Sequence, residues 1–308
     1  MTGKMPEYLS PGDLIRIISP SGPVDPEMLR LGAKILEEWE YVVEISPNAL
    51  KGDGYLAGND DERLADLMDA LTDKQVKGII CSRGGYGVMR ILRIIDWQRI
   101  ENTSPKVFVG FSDIGALQAA LLNRCGWITY SGPQAAMGLG GDMSPRSLMH
   151  LRRMIDGSNF QLSWSDIEKT VLRTGETDNQ EITGVLIPIC LSILVSLIGT
   201  PYMPDLKNTL LCIEDVNEPL YRIDRMIWQL HASGNLEQVN ALVLGAFTWQ
   251  DNRLDDSVEI LCKHYCKKNS IPLFSGLPYG HIDDKITLPF GARASIDANG
   301  EIRLEEVH

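Results

Sequence analysis

Residues 76–87 read Val76-Lys77-Gly78-Ile79-Ile80-Cys81-Ser82-Arg83-Gly84-Gly85-Tyr86-Gly87, and residues 107–113 read Val107-Phe108-Val109-Gly110-Phe111-Ser112-Asp113. Each stretch is a short apolar, β-branched run that breaks off into a turn. An apolar run without polar alternation is what a strand buried on both faces requires, and such strands belong to parallel sheets covered by helices. The second run leads into Ile114, Leu117, Ala120 and Leu121, which repeat at helical spacing.

The same alternation extends outward from these two stretches. Leu14 to Ser19 predicts a strand, and Asp25 to Trp39 predicts a helix with Met28, Leu31, Ile35 and Leu36 on one face. Val42 to Ile45 is a further strand. Gly52, Gly54 and Gly58 then open a loop, and Asn59 or Asp60 caps a helix through Leu64, Leu67, Met68 and Leu71. From Gly157 to Glu181 the chain turns polar and loses its period, so a domain boundary is expected there. Beyond it, strands are predicted near Thr209 to Ile213 and Ala241 to Leu244, with helices at Leu220 to His231 and Asp256 to Lys267. Three short strands close the chain, near Ile286 to Leu288, Arg293 to Ile296 and Glu301 to Leu304. The pattern is that of an α/β protein.

The chain has 308 residues, and 41 acidic side chains against 29 Lys plus Arg give a net charge of -12. A nucleic-acid partner needs a positive field that this chain lacks, and an anionic membrane surface is disfavoured for the same reason. The longest apolar stretch, Val185 to Ile198, is broken by Pro188 and Ser192 and is shorter than the ~20 residues of a spanning helix. The first thirty residues hold no apolar signal core, so a cytoplasmic location is expected. Cys81, Cys125, Cys190, Cys212, Cys262 and Cys266 show no paired framework spacing and read as reduced thiols.

Four segments carry candidate chemistry. Ser112 sits at a strand-to-helix turn, where unpaired N–H groups and the positive end of the helix dipole favour a developing oxyanion. Its spacing, Gly110-x-Ser112-x-x-Gly115, is one residue off the elbow of the α/β hydrolases, and a serine there also serves as an ordinary helix cap. The turn at Gly84 and Gly85 lets backbone N–H groups approach a ligand, yet it satisfies neither dinucleotide fingerprint nor P-loop. Glu214 and Asp215 follow the apolar run Leu211-Cys212-Ile213. His281 is mounted in a Gly/Pro loop, Gly276-Leu277-Pro278-Tyr279-Gly280-His281. A nucleophile needs a base, and the base an orienting group; Ser112, His281 and Glu214 fit these roles, with Asp215, Glu218 and Asp113 as rival carboxylates. Cys262 and Cys266 share a helical face, but His264 points away and a structural zinc needs four ligands, so no metal is expected.

These motifs together resemble the LD-carboxypeptidase family of serine peptidases, which includes murein tetrapeptide carboxypeptidases and microcin C immunity peptidases. The resemblance runs nearly end to end. It rests on Pro11-Gly12-Asp13 with Ser19-Pro20-Ser21-Gly22, Tyr55-Leu56-Ala57-Gly58 with Asp60-Asp61-Glu62-Arg63, and the Arg83 to Gly87 turn. It continues through Gly110-Phe111-Ser112-Asp113, Gly199-Thr200-Pro201-Tyr202, Glu214-Asp215 with Tyr221-Arg222-Ile223-Asp224-Arg225, and Gly280-His281. It implies a Ser112, His281, Glu214 triad, with the oxyanion held by backbone N–H groups of Asp113, Gly84 and Gly85. It also implies an N-terminal parallel-sheet, Rossmann-like domain carrying the nucleophile, here 1–160, and a linker over 161–181. A smaller C-terminal α/β domain with a β-rich closing segment, 182–308, then supplies Glu214 and His281. A homodimer needing no cofactor is implied, as is hydrolysis of the bond between the L-centre of a diamino acid and a terminal D-alanine in cytoplasmic muropeptides, a step of peptidoglycan recycling.

The chain departs from the family pattern at three places. Pro188-Ile189-Cys190 stands before Leu191 where Gly-Gly-Asn is usual, Gly115 where Thr is common, and Ser131 where His usually precedes Gly-Pro. These changes point to altered substrate fit. An acidic enzyme taking a peptide with several carboxylates needs a local positive spot, and Arg83 is the expected partner for one of them, with an ion pair as its structural alternative. Tyr86, in the same turn, joins it as an expected substrate-binding residue. Two other functions fit the same sequence: an immunity-type amidase acting on an aminoacyl-nucleotide, and a catalytically silent small-molecule binding protein.

Overall fold

A computed structural model describes residues 3–158, 181–250, 252–297 and 300–305. Along them the strands are β1 (Leu14–Ile18), β2 (Val42–Ile45), β3 (Val76–Cys81), β4 (Val107–Gly110), β5 (Thr129–Ser131), β6 (Ile182–Cys190), β7 (Thr209–Asp215), β8 (Ala241–Trp249), β9 (Asn252–Arg253), β10 (Leu273–Ser275), β11 (Leu288–Phe290), β12 (Arg293–Ile296) and β13 (Ile302–Leu304). The helices are α1 (Pro26–Glu38), α2 (Asp60–Thr72), α3 (Val88–Ile91), α4 (Trp97–Glu101), α5 (Gly115–Cys125), α6 (Pro145–Asp156), α7 (Leu191–Leu197), α8 (Leu220–Ala232) and α9 (Asp255–Asn269). The fold is mixed α/β. Its described residues form two units, one of residues 3–158 with Ile286–Phe290, the other of residues 181–285 with those from 291 onward. The expected linker, 161–181, lies outside the described residues except for residue 181.

In the first unit the sheet order is β11-β5-β4-β3-β1-β2, with β1 to β5 parallel and β11 antiparallel to β5. The order 2-1-3-4-5 is that of doubly wound sheets, which bind ligands at the carboxyl ends of their strands. Every residue of β4 is buried, as the run of apolar residues predicts. The expected helices start where their caps allow. Asp25 accepts from Glu27 N–H and Met28 N–H ahead of Pro26, and Asn59, rather than Asp60, forms a capping box with Glu62. The segment between β3 and β4 holds two short helices, α3 and α4.

The second unit has its own sheet, β10-β8-β7-β6-β12-β13, with β9 paired to β8. Strands β6, β7, β8 and β10 are parallel, while β12 and β13 add an antiparallel edge. The apolar stretch from Val185 resolves into a strand followed directly by a helix, β6 and α7. Pro188 is tolerated inside β6 for a definite reason. Val185 N–H points to β7, bonding Asn208 O, and Leu186 N–H points to β12, bonding Ala292 O. By alternation residue 188 faces the β12 side, past the residues that β12 pairs, so no ladder bond is lost there. Of the three expected closing strands the first is shifted slightly, with β11 at Leu288–Phe290 instead of Ile286 to Leu288, and it joins the first unit's sheet.

Candidate active site

In the first unit, four strand ends converge. Ser112 follows β4 at φ +62, the left-handed region that costs a non-glycine residue roughly 1–2 kcal/mol. It caps no helix with its side chain, and α5 begins only at Gly115, with Ile114 as its cap. A helix-capping role therefore does not account for this serine. It stands instead in a strained turn between strand and helix. Against it lies the β3 turn: a Cβ on Gly84 would meet Ser112 Cβ at 2.8 Å and Ser112 Oγ at 3.1 Å. Only glycine permits that approach.

Buried polar side chains hold these turns together. Asp113, 1% exposed, accepts from Ser21 Oγ at 2.6 Å and from Val88 N–H at 3.0 Å, and burial pushes its carboxyl up. Arg63 has a fully buried side chain and donates to Pro20 O at 2.6 Å and Gly87 O at 2.9 Å while pairing with Asp60. Ser19 Oγ lies 2.7 Å from Ser82 Oγ and donates to Ala49 O. Gln134, just past β5, accepts from Gly84 N–H at 3.0 Å and donates to Phe111 O at 3.2 Å. Of the three backbone groups expected at an oxyanion, Gly84 N–H is thus engaged by a side chain, while Gly85 and Asp113 are not engaged by Gln134.

In the second unit, Glu214 at the end of β7 is fully buried, and its Oε2 lies 2.8 Å from His281 Nδ1. The same oxygen accepts the His281 backbone N–H at 3.2 Å. Gly280 makes this close approach possible, because at φ +140 a Cβ there would lie 2.9 Å from Ala246 Cβ and 3.2 Å from Glu214 Oε2. The His281 side chain keeps 25% of its surface exposed. Burial pushes the Lys285 ammonium down to about 8, opposed by the charges of Glu214 and Asp283.

The rival carboxylates take other partners. Asp215 accepts from Ser192 N–H at 2.7 Å and Val216 N–H at 2.9 Å, and burial together with the neighbouring Glu214 charge pushes its pKa up to about 6. Glu218 pairs with Arg222 at 2.9 Å, and Asp113 is occupied as described above. Arg83 donates to Pro23 O at 3.1 Å and Gly84 O at 3.3 Å; among the described residues no carboxylate pairs with it. Tyr86 is 50% exposed and meets Tyr55 edge to face, with ring centres 5.7 Å apart. Pro188, Ile189 and Cys190 are buried at the end of β6, with Cys190 in register with Glu214. Cys262 and Cys266 are buried while His264 between them is exposed, and among the described residues no cluster of three metal-ligating side chains occurs.

Sequence reasoning missed Gln134, Asp215's link to Ser192, and Lys285. A signal for the first existed: Ser131-Gly132-Pro133-Gln134 leaves a parallel strand, as the turns at 82–87 and 111–113 do.

The described residues thus include a serine in a strained turn beside a glycine turn, and a histidine held by a buried carboxylate. The sequence model of the LD-carboxypeptidase N-terminal domain matches residues 15–132, and that of the C-terminal domain matches residues 183–296. The chain belongs to the LD-carboxypeptidase family, and it is a peptidase. It is 30% identical to the murein tetrapeptide carboxypeptidase of Pseudomonas aeruginosa, over 92% of this chain and 93% of that protein. The crystal structure of muramoyltetrapeptide carboxypeptidase from Oxalobacter formigenes superimposes with a TM-score of 0.80 at 32% identity, covering 94% of this chain and 97% of that one. The MccF-like protein from Bacillus anthracis gives 0.85 at 27% identity, covering 99% of each. Among the described residues no helix is long and apolar enough to cross a membrane.

Proposed function

We propose that this LD-carboxypeptidase hydrolyses the bond between the L-centre of a diamino acid and the terminal D-alanine of a murein tetrapeptide, using Ser112 as nucleophile. The observation that carries the reading is the His281 Nδ1 to Glu214 Oε2 bond of 2.8 Å. A buried carboxylate on Nδ1 fixes the tautomer and leaves proton exchange with the nucleophile to Nε2. Support for the substrate comes from the murein tetrapeptide relatives.

In this mechanism His281 takes the Ser112 proton as Oγ bonds to the scissile carbonyl carbon. The oxyanion that forms is held by the backbone N–H groups of Gly85 and Asp113, the Gly84 N–H being taken up by Gln134 Oε1. Collapse breaks the C–N bond, and His281 returns the proton to the leaving D-alanine amine. Water, deprotonated by His281, then cleaves the acyl ester and restores Ser112. Glu214 stabilises the imidazolium at both stages. Arg83 and Tyr86, beside the glycine turn, bind the peptide, with Arg83 pairing a substrate carboxylate. The reading carries with it a homodimer acting in the cytoplasm, with no cofactor.

The test is D-alanine release from a tetrapeptide containing meso-diaminopimelate, for wild type, Ser112→Ala and His281→Ala. Release by wild type and a loss of about three or more orders of magnitude in both variants is expected. Release that survives in Ser112→Ala overturns the nucleophile, and no release by wild type overturns the substrate. The likeness to the MccF-like protein supports a second substrate, an aminoacyl-nucleotide amide, which the same enzyme preparations test directly.

A further inference from the structure

Gln134 is 5% exposed, and both ends of its amide are committed. Its Oε1 accepts from Gly84 N–H, 50 residues away in sequence, and its Nε2 donates to Phe111 O, 23 residues away. Phe111 is the residue before Ser112, and Gly84 is the residue that packs against Ser112 Cβ. One planar side chain therefore spans the β3 turn and the β4 turn at the point where they touch. The segment carrying it is itself tied down, since Ala136 N–H donates to Ser82 O at 2.9 Å and Gly138 N–H to Gln134 O at 3.0 Å.

We propose that Gln134 is a positioning residue that sets the spacing between the glycine turn and Ser112. This rests on Ser112 being the nucleophile. A primary amide suits that role, because it offers one acceptor for a backbone N–H and one donor for a backbone carbonyl at a fixed separation. By holding Gly84 N–H, Gln134 aims the next peptide group, Gly85 N–H, to act with Asp113 N–H on the oxyanion. Oxyanion donors act only at the correct distance from the developing charge, so a loosened turn costs rate more than binding.

The experiment uses a peptidyl phosphonate that reacts with active-site serines, on the full chain. Wild type, Ser112→Ala, Gln134→Met and Gln134→Glu are compared for the first-order inactivation rate and the reversible binding constant, with Tm measured for each. Methionine fills the same volume without either hydrogen bond, and a rate about 10- to 100-fold lower is expected, with probe binding changed less than about threefold. A buried glutamate restores both bonds only when protonated. The ratio of the Gln134→Glu rate to the wild-type rate is therefore expected to rise as pH falls, a comparison in which pH effects common to both enzymes cancel. Labelling of wild type at a residue other than Ser112 removes the nucleophile reading and this proposal with it. Labelling at Ser112 with an unchanged rate in Gln134→Met overturns the Gln134 role alone. Should Gln134→Met lower Tm too far to be compared, a pH-independent Gln134→Glu ratio overturns it equally.

Discussion

Glu214 Oε2 serves two hydrogens of one residue, the ring nitrogen of His281 at 2.8 Å and its backbone N–H at 3.2 Å. The carboxylate thereby fixes both where the loop runs and how the ring is turned. A glutamine in its place keeps an acceptor but carries no charge to stabilise an imidazolium. Glu214→Gln is expected to lower kcat by about three to four orders of magnitude with KM nearly unchanged, as loss of the third triad member does elsewhere. Steady-state kinetics on the tetrapeptide read this, and a loss below about tenfold sinks the role given to Glu214.

Gly84→Ala tests the close approach of the two turns. The new methyl meets Ser112 Cβ at 2.8 Å and Phe111 O at 3.1 Å, neither of which is the end of a flexible side chain. The turn must move away from Ser112. We expect kcat to fall by about 100-fold, while Tm drops only by a few degrees, since overpacking at one turn costs roughly 1–3 kcal/mol. A variant with wild-type kcat contradicts the contact.

Arg83→Ala is expected to raise KM with kcat largely kept, because the guanidinium bonds only backbone carbonyls among the described residues and is proposed to pair a substrate carboxylate. An unchanged KM removes Arg83 from the binding site.

His150 predicts a pH dependence of stability. Its Nδ1 accepts Thr287 N–H at 3.1 Å, and burial, reinforced by Arg146 and Arg153, pushes its pKa down to about 4 from 6.5. Between these values the unfolded chain binds more protons than the folded one, so stability falls as the pH drops from 6.5 toward 4. The whole effect is on the order of 3 kcal/mol below that window. His150→Gln keeps an acceptor and does not titrate. Its Tm is expected to fall less than that of wild type over the same pH range; parallel curves refute the assignment.

Much of this architecture is written locally. The runs at 76–81 and 107–110 are apolar and buried apart from the exposed Lys77, because both sheet faces are covered, and the turns that follow them are spelled in glycine and serine. Glu214 and Asp215 were legible only as a pair: successive strand residues face opposite sides, and the sequence does not say which side holds the histidine. The three-residue strands β5 and β10 are too short to show a period, and Pro188 disguised the strand that contains it. The place of Gln134 at a strand end was legible but its role was not, since its partners are backbone groups, which carry no residue-type signature.

The short strand β11 constrains how the gene can be cut. A fragment ending anywhere in 159–180 includes β1 to β5 but lacks Leu288–Phe290, the antiparallel neighbour of β5. Its sheet would end on a bare strand whose three residues are all buried in the whole chain, a template for pairing with other chains. The boundary between the two family sequence models therefore leaves β11, a strand of the first sheet, in the second half of the chain. Expressed alone, the first half is a candidate for aggregation along its uncovered β5 edge.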